Sequence, residues 1–446
     1  MPLIQFHFFA FLIILAVTAV KHIYTLPEIP VEGLPRNFSW PDKVKQFSGY
    51  INVNKTHGNH FFYWFFESRS KPSEDPLILW LTGGPGCAST LALLVENGPF
   101  LIDNDNGKLN YNPYGWNSFA NLLYVDQPVG TGFSYTDNPL GFETNEQTIA
   151  RELTTFMEEF YQNYPKYSKL PFYIIGESYA GHYIPPFSAY ILKNSQIVKA
   201  NLKGIAIGDG WVNPKLQFSS YLDYMSSIDY ISQSNYEMID EVFRKPCMKL
   251  FELGSYYLSG IECEIYSSAL MDAAELHMKR SINTYDVRVR CIEPPMCYNF
   301  SSTHKFLNRK DVQMALGVDR YWLSCNLIPD IVLLLDENKD YHADVAFTLS
   351  QGVRVLVYSG KDDYICNYLG GKAWTESMEW SGKSEFSEKN LTNWIYNGAK
   401  VGEFKAVKDL TLLFIEKSGH MVPMNQPEVS LAMVNHFLNG KPFQSD

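Results

Sequence analysis

The sequence predicts an α/β fold: a mostly parallel central sheet with helices on both faces and an inserted cap region. Three observations carry this expectation. Short runs rich in apolar, β-branched and aromatic residues recur at 47–53, 61–66, 77–81, 122–125, 172–175, 202–207, 353–358 and 410–415, the composition of buried strands. Helical patterns separate several of them, notably 145–164 with apolar residues at three and four spacing, which is the rhythm of a parallel sheet covered by helices. Finally, that rhythm stops after Ile205-Ala-Ile-Gly-Asp-Gly210 and resumes only near Val353.

In chain order, residues 1–20 read as a signal peptide. An apolar stretch from Phe8 to Val20 has the length of an h-region, and Ala16 and Ala19 offer a cleavage site. No Lys or Arg precedes Lys21, so an uncleaved anchor is the alternative. No later stretch is long and apolar enough to span a bilayer, and no stable membrane association is expected after cleavage. Residues 21–210 form the first part of the core, opening with a hairpin from the first two runs. Residues 211–346 are the inserted cap, helical and irregular, and hold five of the seven cysteines. Residues 347–446 return to the core. Insertions at strand ends commonly build lids and specificity pockets.

Composition narrows the function. The chain has 446 residues, of which 46% are hydrophobic, enough for a sizeable core. Its net charge of −11 and the absence of a basic stripe exclude nucleic acid as a partner. Sequons at Asn37, Asn54, Asn299 and Asn390 suit the secretory pathway, as do seven cysteines that predict three disulfides and one thiol left over. The cysteine spacings contain no Cys-x-x-Cys and no helical His pair accompanies them, so no metal or cofactor is expected.

The chemistry starts at Gly176-Glu177-Ser178-Tyr179-Ala180-Gly181. A strand run precedes it and a helix-compatible segment follows, so Ser178 reads as the serine of a nucleophile elbow, with Ala180 where a second glycine is usual. That arrangement implies an α/β-hydrolase fold. A serine hydroxyl needs a histidine to take its proton and an acid to hold that histidine, and the expected chain order is serine, acid, histidine. Run 353–358 is followed by Asp362 and Asp363, and run 410–415 by His420. Alone, His420 would be an ordinary loop histidine; three correctly ordered strand ends make it the base. Spacing leaves Asp362 and Asp363 equal.

Six blocks then show a wider likeness: Leu79-Trp-Leu-Thr-Gly-Gly-Pro-Gly-Cys87, Asn112-Pro-Tyr-Gly-Trp116-Asn117, Asp126-Gln-Pro-Val-Gly-Thr-Gly-Phe-Ser-Tyr135, the elbow itself, Asp363-Tyr-Ile-Cys-Asn367 and Gly419-His-Met-Val-Pro423. On these residues the chain resembles the serine carboxypeptidases from Phe47 to its C-terminus. The resemblance implies Asp363 as the triad acid and the N–H groups of Gly84 and Tyr179 as the oxyanion hole. It implies recognition of a substrate α-carboxylate by Thr82-Gly83, Glu96 and Glu177, with at least one glutamate protonated. Without the resemblance, Glu96 reads first as a solvated carboxylate on a helix face. The family commonly has Asn where this chain has Thr82, which alters the donors available to the clamp.

The resemblance also implies pairs Cys87–Cys325 and Cys291–Cys297, leaving Cys247–Cys263, with Cys366 the free cysteine near the binding pocket. Met421 is a pocket candidate because a thioether suits a tolerant apolar site. The implied function is hydrolytic release of C-terminal residues from peptides and proteins through an acyl-enzyme, favoured at acidic pH, in the lysosome or vacuole or outside the cell. Acyl transfer to an alcohol and a protective scaffold for partner hydrolases are the alternatives.

Overall fold

The computed structural model describes residues 40–443 apart from Pro295; the expected signal peptide and the Asn37 sequon lie outside the described residues. The strands are β1 (Gln46–Asn54), β2 (Asn59–Phe66), β3 (Leu77–Thr82), β4 (Phe100–Ile102), β5 (Leu109–Tyr111), β6 (Asn121–Asp126), β7 (Tyr135–Thr136), β8 (Phe172–Glu177), β9 (Leu202–Gly208), β10 (Arg354–Gly360), β11 (Thr392–Tyr396), β12 (Ala399–Val407) and β13 (Leu410–Ile415). One large sheet runs β1-β2-β6-β3-β8-β9-β10-β13-β12-β11, with β7 paired to β2, while β4 and β5 form a separate hairpin.

The strands from β6 to β13 in that order pair in parallel, and the β1–β2 and β11–β12 hairpins extend the sheet antiparallel at its edges. Residues of β2 alternate between two cores: Phe61, Tyr63 and Phe65 belong to one, Phe62, Trp64 and Phe66 to the other. A strand buried on both faces reads as a continuous apolar run for this reason. Helices Glu146–Asn163 and Ala180–Lys193 cover the first face, and Ser89–Val95 and Pro427–Asn439 the second.

Between β9 and β10 the described residues contain helices and turns, among them Pro214–Ser227 and the long Tyr256–Met278. Disulfides join Cys87 to Cys325, Cys247 to Cys263 and Cys291 to Cys297; Cys366 is free and buried. The first bond ties this region to the Gly-Gly-Pro-Gly turn after β3, across 238 residues of sequence. No helix among the described residues is long and apolar enough to cross a membrane. Asn299 and Asn390 are exposed. Asn54 is not a free acceptor: its amide nitrogen donates to Glu152 at 2.9 Å and its oxygen receives the N–H groups of Thr56 and His57.

Closing so long a loop restricts the unfolded chain strongly. The double variant Cys87→Ala/Cys325→Ala is therefore expected to lose about 2–5 kcal/mol of unfolding free energy, read as a lowered denaturant midpoint; an unchanged midpoint would contradict a stabilising role for the bond.

Candidate active site

The parallel strands direct their C-terminal ends to one edge of the sheet, the place where sites form in such folds. Ser178 follows β8 at that edge with φ 66°, a left-handed conformation that costs a non-glycine residue energy and persists only where its surroundings impose it. Three bonds impose it here. Ser178 N donates to Gly208 O at 3.0 Å, and Ser178 O accepts from Gly181 N and Trp211 N, both at 2.9 Å. The alanine at the second small position fits because Gly176 makes room: a methyl at 176 would lie 2.8 Å from the Ala180 Cβ and 2.2 Å from the Leu81 carbonyl oxygen.

Gly83 packs against the elbow so tightly that a Cβ there would sit 2.2 Å from Tyr179 N. Both Gly84 and Tyr179 line the cavity beside Ser178, and among the described residues neither backbone N–H donates to a protein acceptor. Two uncommitted N–H groups beside a serine are the donors an oxyanion needs.

His420 follows β13, and its Nδ1 lies 2.8 Å from Asp363 Oδ2. Asp363 follows β10, is fully buried, and receives Ile365 N at 3.1 Å and Cys366 N at 3.2 Å. These bonds distinguish the two aspartates: Asp362 instead pairs with Arg288 at 3.3 Å. His420 is further fixed through its own N–H to Tyr285 O at 2.7 Å, with the Tyr285 ring edge-on at 5.3 Å. Donation from Nδ1 sets the tautomer and leaves Nε2 as the basic nitrogen. Ligand atoms of Asp363, Cys366 and His420 lie within 4.8 Å of one another. The Asp–His bond accounts for two of the three.

Carboxyl groups crowd this edge. Glu96 caps helix Ser89–Val95 and is buried, so it is not a solvated helix-face residue. It shares a hydrogen bond with buried Glu177, and each keeps one oxygen without a partner. Burial raises the pKa of both, and the charges of Glu96 and Asp209 push Glu177 further up. Two such groups hold a shared proton in preference to ionising together. Thr82 is buried nearby, its hydroxyl accepting the Trp80 indole N–H at 2.9 Å; the hydroxyl proton remains available to a ligand.

Sequence reasoning missed Asp209. It sits after β9 with φ 41°, accepts Gly360 N at 2.8 Å and contacts Asp363. Burial, then the charge of Asp363, raises its pKa. An aspartate between two glycines, directly after a strand aligned with the elbow, was the available signal.

The cavity has a volume of about 100 Å³. The region after β9 supplies Trp211, Phe218, Tyr221, Glu264 and Glu337 to its wall; Ile365 and Cys366 follow β10. Cys366 thus reaches the cavity, but burial raises its thiol pKa well above the ordinary value, an effect reinforced by the charge of Asp363, which keeps it protonated and weakly nucleophilic. Met421, beside His420, is buried at the start of helix Val422–Asn425 and stands outside this wall, its carbonyl accepting Met424 N and Asn425 N.

Residues 35–440 match the family model described as serine carboxypeptidase. The chain belongs to the serine carboxypeptidase family. It is 37% identical to "Serine carboxypeptidase 3" of Oryza sativa subsp. japonica, over 93% of this chain and 82% of that one. It is 39% identical to "Serine carboxypeptidase S10 family member 1" of Dictyostelium discoideum, over 90% and 96%. Among solved structures, Kex1(delta)p, a prohormone-processing carboxypeptidase from Saccharomyces cerevisiae, superposes with a TM-score of 0.80 at 26% identity, covering 89% of this chain and 92% of that one. The family and this likeness make the fold an α/β-hydrolase fold, as the elbow and its partners predict.

The buried acids give the family site a stability signature. Glu96, Glu177 and Asp209 have folded-state pKa values above those of exposed carboxyls, and Glu143 and Glu146, also buried, act in the same sense. The folded chain therefore retains protons that the unfolded chain releases, so this stability is full below the ordinary carboxylate range and is lost as pH rises through the raised values. Tm should fall between about pH 5 and about pH 8, and Glu177→Gln or Asp209→Asn should make the fall shallower. A flat or rising Tm in the parent chain would count against the assignment.

Proposed function

We propose that the chain removes residues singly from the C-termini of peptides, with Ser178 as nucleophile, His420 as general base and acid, and Asp363 orienting His420. Ser178 Oγ attacks the last peptide carbonyl while His420 Nε2 takes its proton, and the Gly84 and Tyr179 N–H groups receive the developing oxyanion. His420 then protonates the departing amino acid, and water, activated by the same histidine, releases the shortened peptide from the acyl-enzyme. Asp363 stays ionised throughout and stabilises the imidazolium.

The observation that carries the exopeptidase reading is the buried Glu96–Glu177 pair, whose second member immediately precedes Ser178. A general hydrolase has no use for two desolvated carboxyls sharing a proton beside its nucleophile. A substrate with a free α-carboxylate does, because the protonated carboxyl donates to it, together with Thr82 and the Gly83 backbone. The cavity wall includes Ser178, Gly84 and Tyr179 but none of Thr82, Glu96 or Glu177, so it receives the side chain of the residue on the acyl side of the bond. Three disulfides and the exposed Asn299 and Asn390 support passage through the secretory pathway to an acidic compartment or the exterior.

Mass spectrometry of a peptide with a free or amidated C-terminus tests this directly. The free peptide should shorten from its end and the amide should resist; equal cleavage of both would remove the carboxylate clamp from the reading. Ser178→Ala should lower kcat by roughly 10³-fold or more. As pH rises, ionisation of the glutamate pair should raise KM, and Glu177→Gln should flatten that rise; an unchanged KM profile would leave the pair without the assigned role.

A further inference from the structure

The wall of the cavity that Ser178 lines also carries two carboxyl groups, Glu264 from helix Tyr256–Met278 and Glu337 from the turn after helix Leu327–Leu333. Among the described residues no Lys, Arg or His forms an ion pair with either side chain, and neither carboxylate receives a hydrogen bond. Asp330 adds a third negative group near Glu337 and is likewise without a cationic partner. Desolvation, then the charges of Glu264 and Asp330, pushes Glu337 up to about 8. Several other acids have cationic partners: Asp336 pairs with Lys339, Asp362 with Arg288 and Glu376 with Lys372 and Lys405. Unlike the Glu96–Glu177 pair, which shares a hydrogen bond, Glu264 and Glu337 have neither a cationic partner nor a hydrogen-bonded acid among the described residues.

Much of the rest of the wall is aromatic, and the polar side-chain atoms of Trp211 and Tyr221 are used internally. Trp211 Nε1 donates to Glu337 O at 3.2 Å, and Tyr221 Oη donates to Ile365 O at 2.7 Å. Trp211 and Phe218 meet edge to face at 4.9 Å, and Phe218 and Tyr221 at 5.4 Å. A largely aromatic wall that also holds two carboxyl groups without a cation is complementary to a side chain with an aliphatic stem and a cationic tip: the stem would pack on the rings, and the tip would supply the missing charge. A cationic tip would favour the ionised form of both groups against the burial that raises their pKa values, a gain that a purely apolar side chain does not offer.

We propose that this cavity selects lysine or arginine as the residue preceding the C-terminal one, with Glu264 and Glu337 as the selecting carboxylates. This rests on the carboxypeptidase reading above and adds to it the substrate class. In the acyl-enzyme the basic side chain remains in the cavity while the C-terminal residue departs.

The test is a peptide set identical except at the penultimate position, carrying lysine, arginine, norleucine, phenylalanine or glutamate, with kcat/KM measured for the whole chain. Norleucine matches the lysine stem without its charge, so the lysine-to-norleucine ratio is the readout. A ratio above one is expected, with glutamate the poorest. Glu337→Gln and Glu264→Gln should each reduce the ratio, and the double variant should reduce it by roughly tenfold or more. Active-site titration with a fluorophosphonate, which counts intact serine centres, normalises each variant, so misfolding cannot imitate a change in ratio. Shortening of the norleucine and phenylalanine peptides in preference to lysine and arginine would overturn this proposal alone. So would a lysine preference undiminished in the double variant. Shortening of no peptide in the set would overturn the carboxypeptidase reading and this proposal with it.

Discussion

The arrangement of the site depends on how the backbone is held at Ser178. One carbonyl accepts two N–H groups, from the helix that follows and from Trp211 after β9, while the Ser178 N–H reaches the end of β9. These bonds impose a positive φ on a serine, lift its side chain above the sheet edge, and join β8, β9 and the start of the inserted region at one point. The glycine turn after β3 packs onto the same elbow, with Gly83 against Tyr179 N. Ser178, the N–H groups of Gly84 and Tyr179, and Trp211 of the cavity wall are thus placed by one backbone knot.

Around that knot the protein buries Glu96, Glu177, Asp209 and Asp363 in contact. Burial raises the pKa of Asp363 as it does those of Glu177 and Asp209, but the bonds of Asp363 to His420 and two backbone N–H groups act against that rise, whereas Glu177 and Asp209 have mainly other acids as electrostatic neighbours. Under the proposed function the same residue class would serve two ends: an ionised acid that orients a histidine and protonated acids that donate to an anion. Because these acids hold protons in the folded chain, the fold loses stability as pH rises through their raised pKa values.

Much of the architecture was legible because strands buried on both faces read as unbroken apolar runs. All eight predicted runs are strands, within a few residues at each end. The β11–β12 hairpin escaped because it lies at the sheet edge, where exposed Lys400 and half-buried Glu403 interrupt the run. The short strands β4, β5 and β7 are too brief to leave a pattern. Within the site, the motif order pointed to Ser178, His420 and an acid, but only tertiary contacts separate Asp362 from Asp363, since adjacent aspartates have the same local signal and different partners. Glu96 was ambiguous for a related reason: whether a carboxylate at a helix end meets water or another acid depends on a strand remote in sequence. The cavity wall was least legible, because Glu264 and Glu337 come from irregularly spaced positions 73 residues apart in a region without a strand framework.

That wall is joined to the rest by the Cys87–Cys325 bond, one sulfur of which belongs to the turn carrying Gly84. The fold thereby divides its inheritance in two. Residues assigned to bond breaking sit on loops between sheet strands and helices, whereas most of those that would choose a substrate belong to the helical stretch between β9 and β10, fastened covalently beside them. Changes to the wall's side chains would redraw selectivity while the backbone contacts of Trp211 and Tyr285 go on holding Ser178 and His420, as a lathe accepts new cutting heads while its spindle stays fixed.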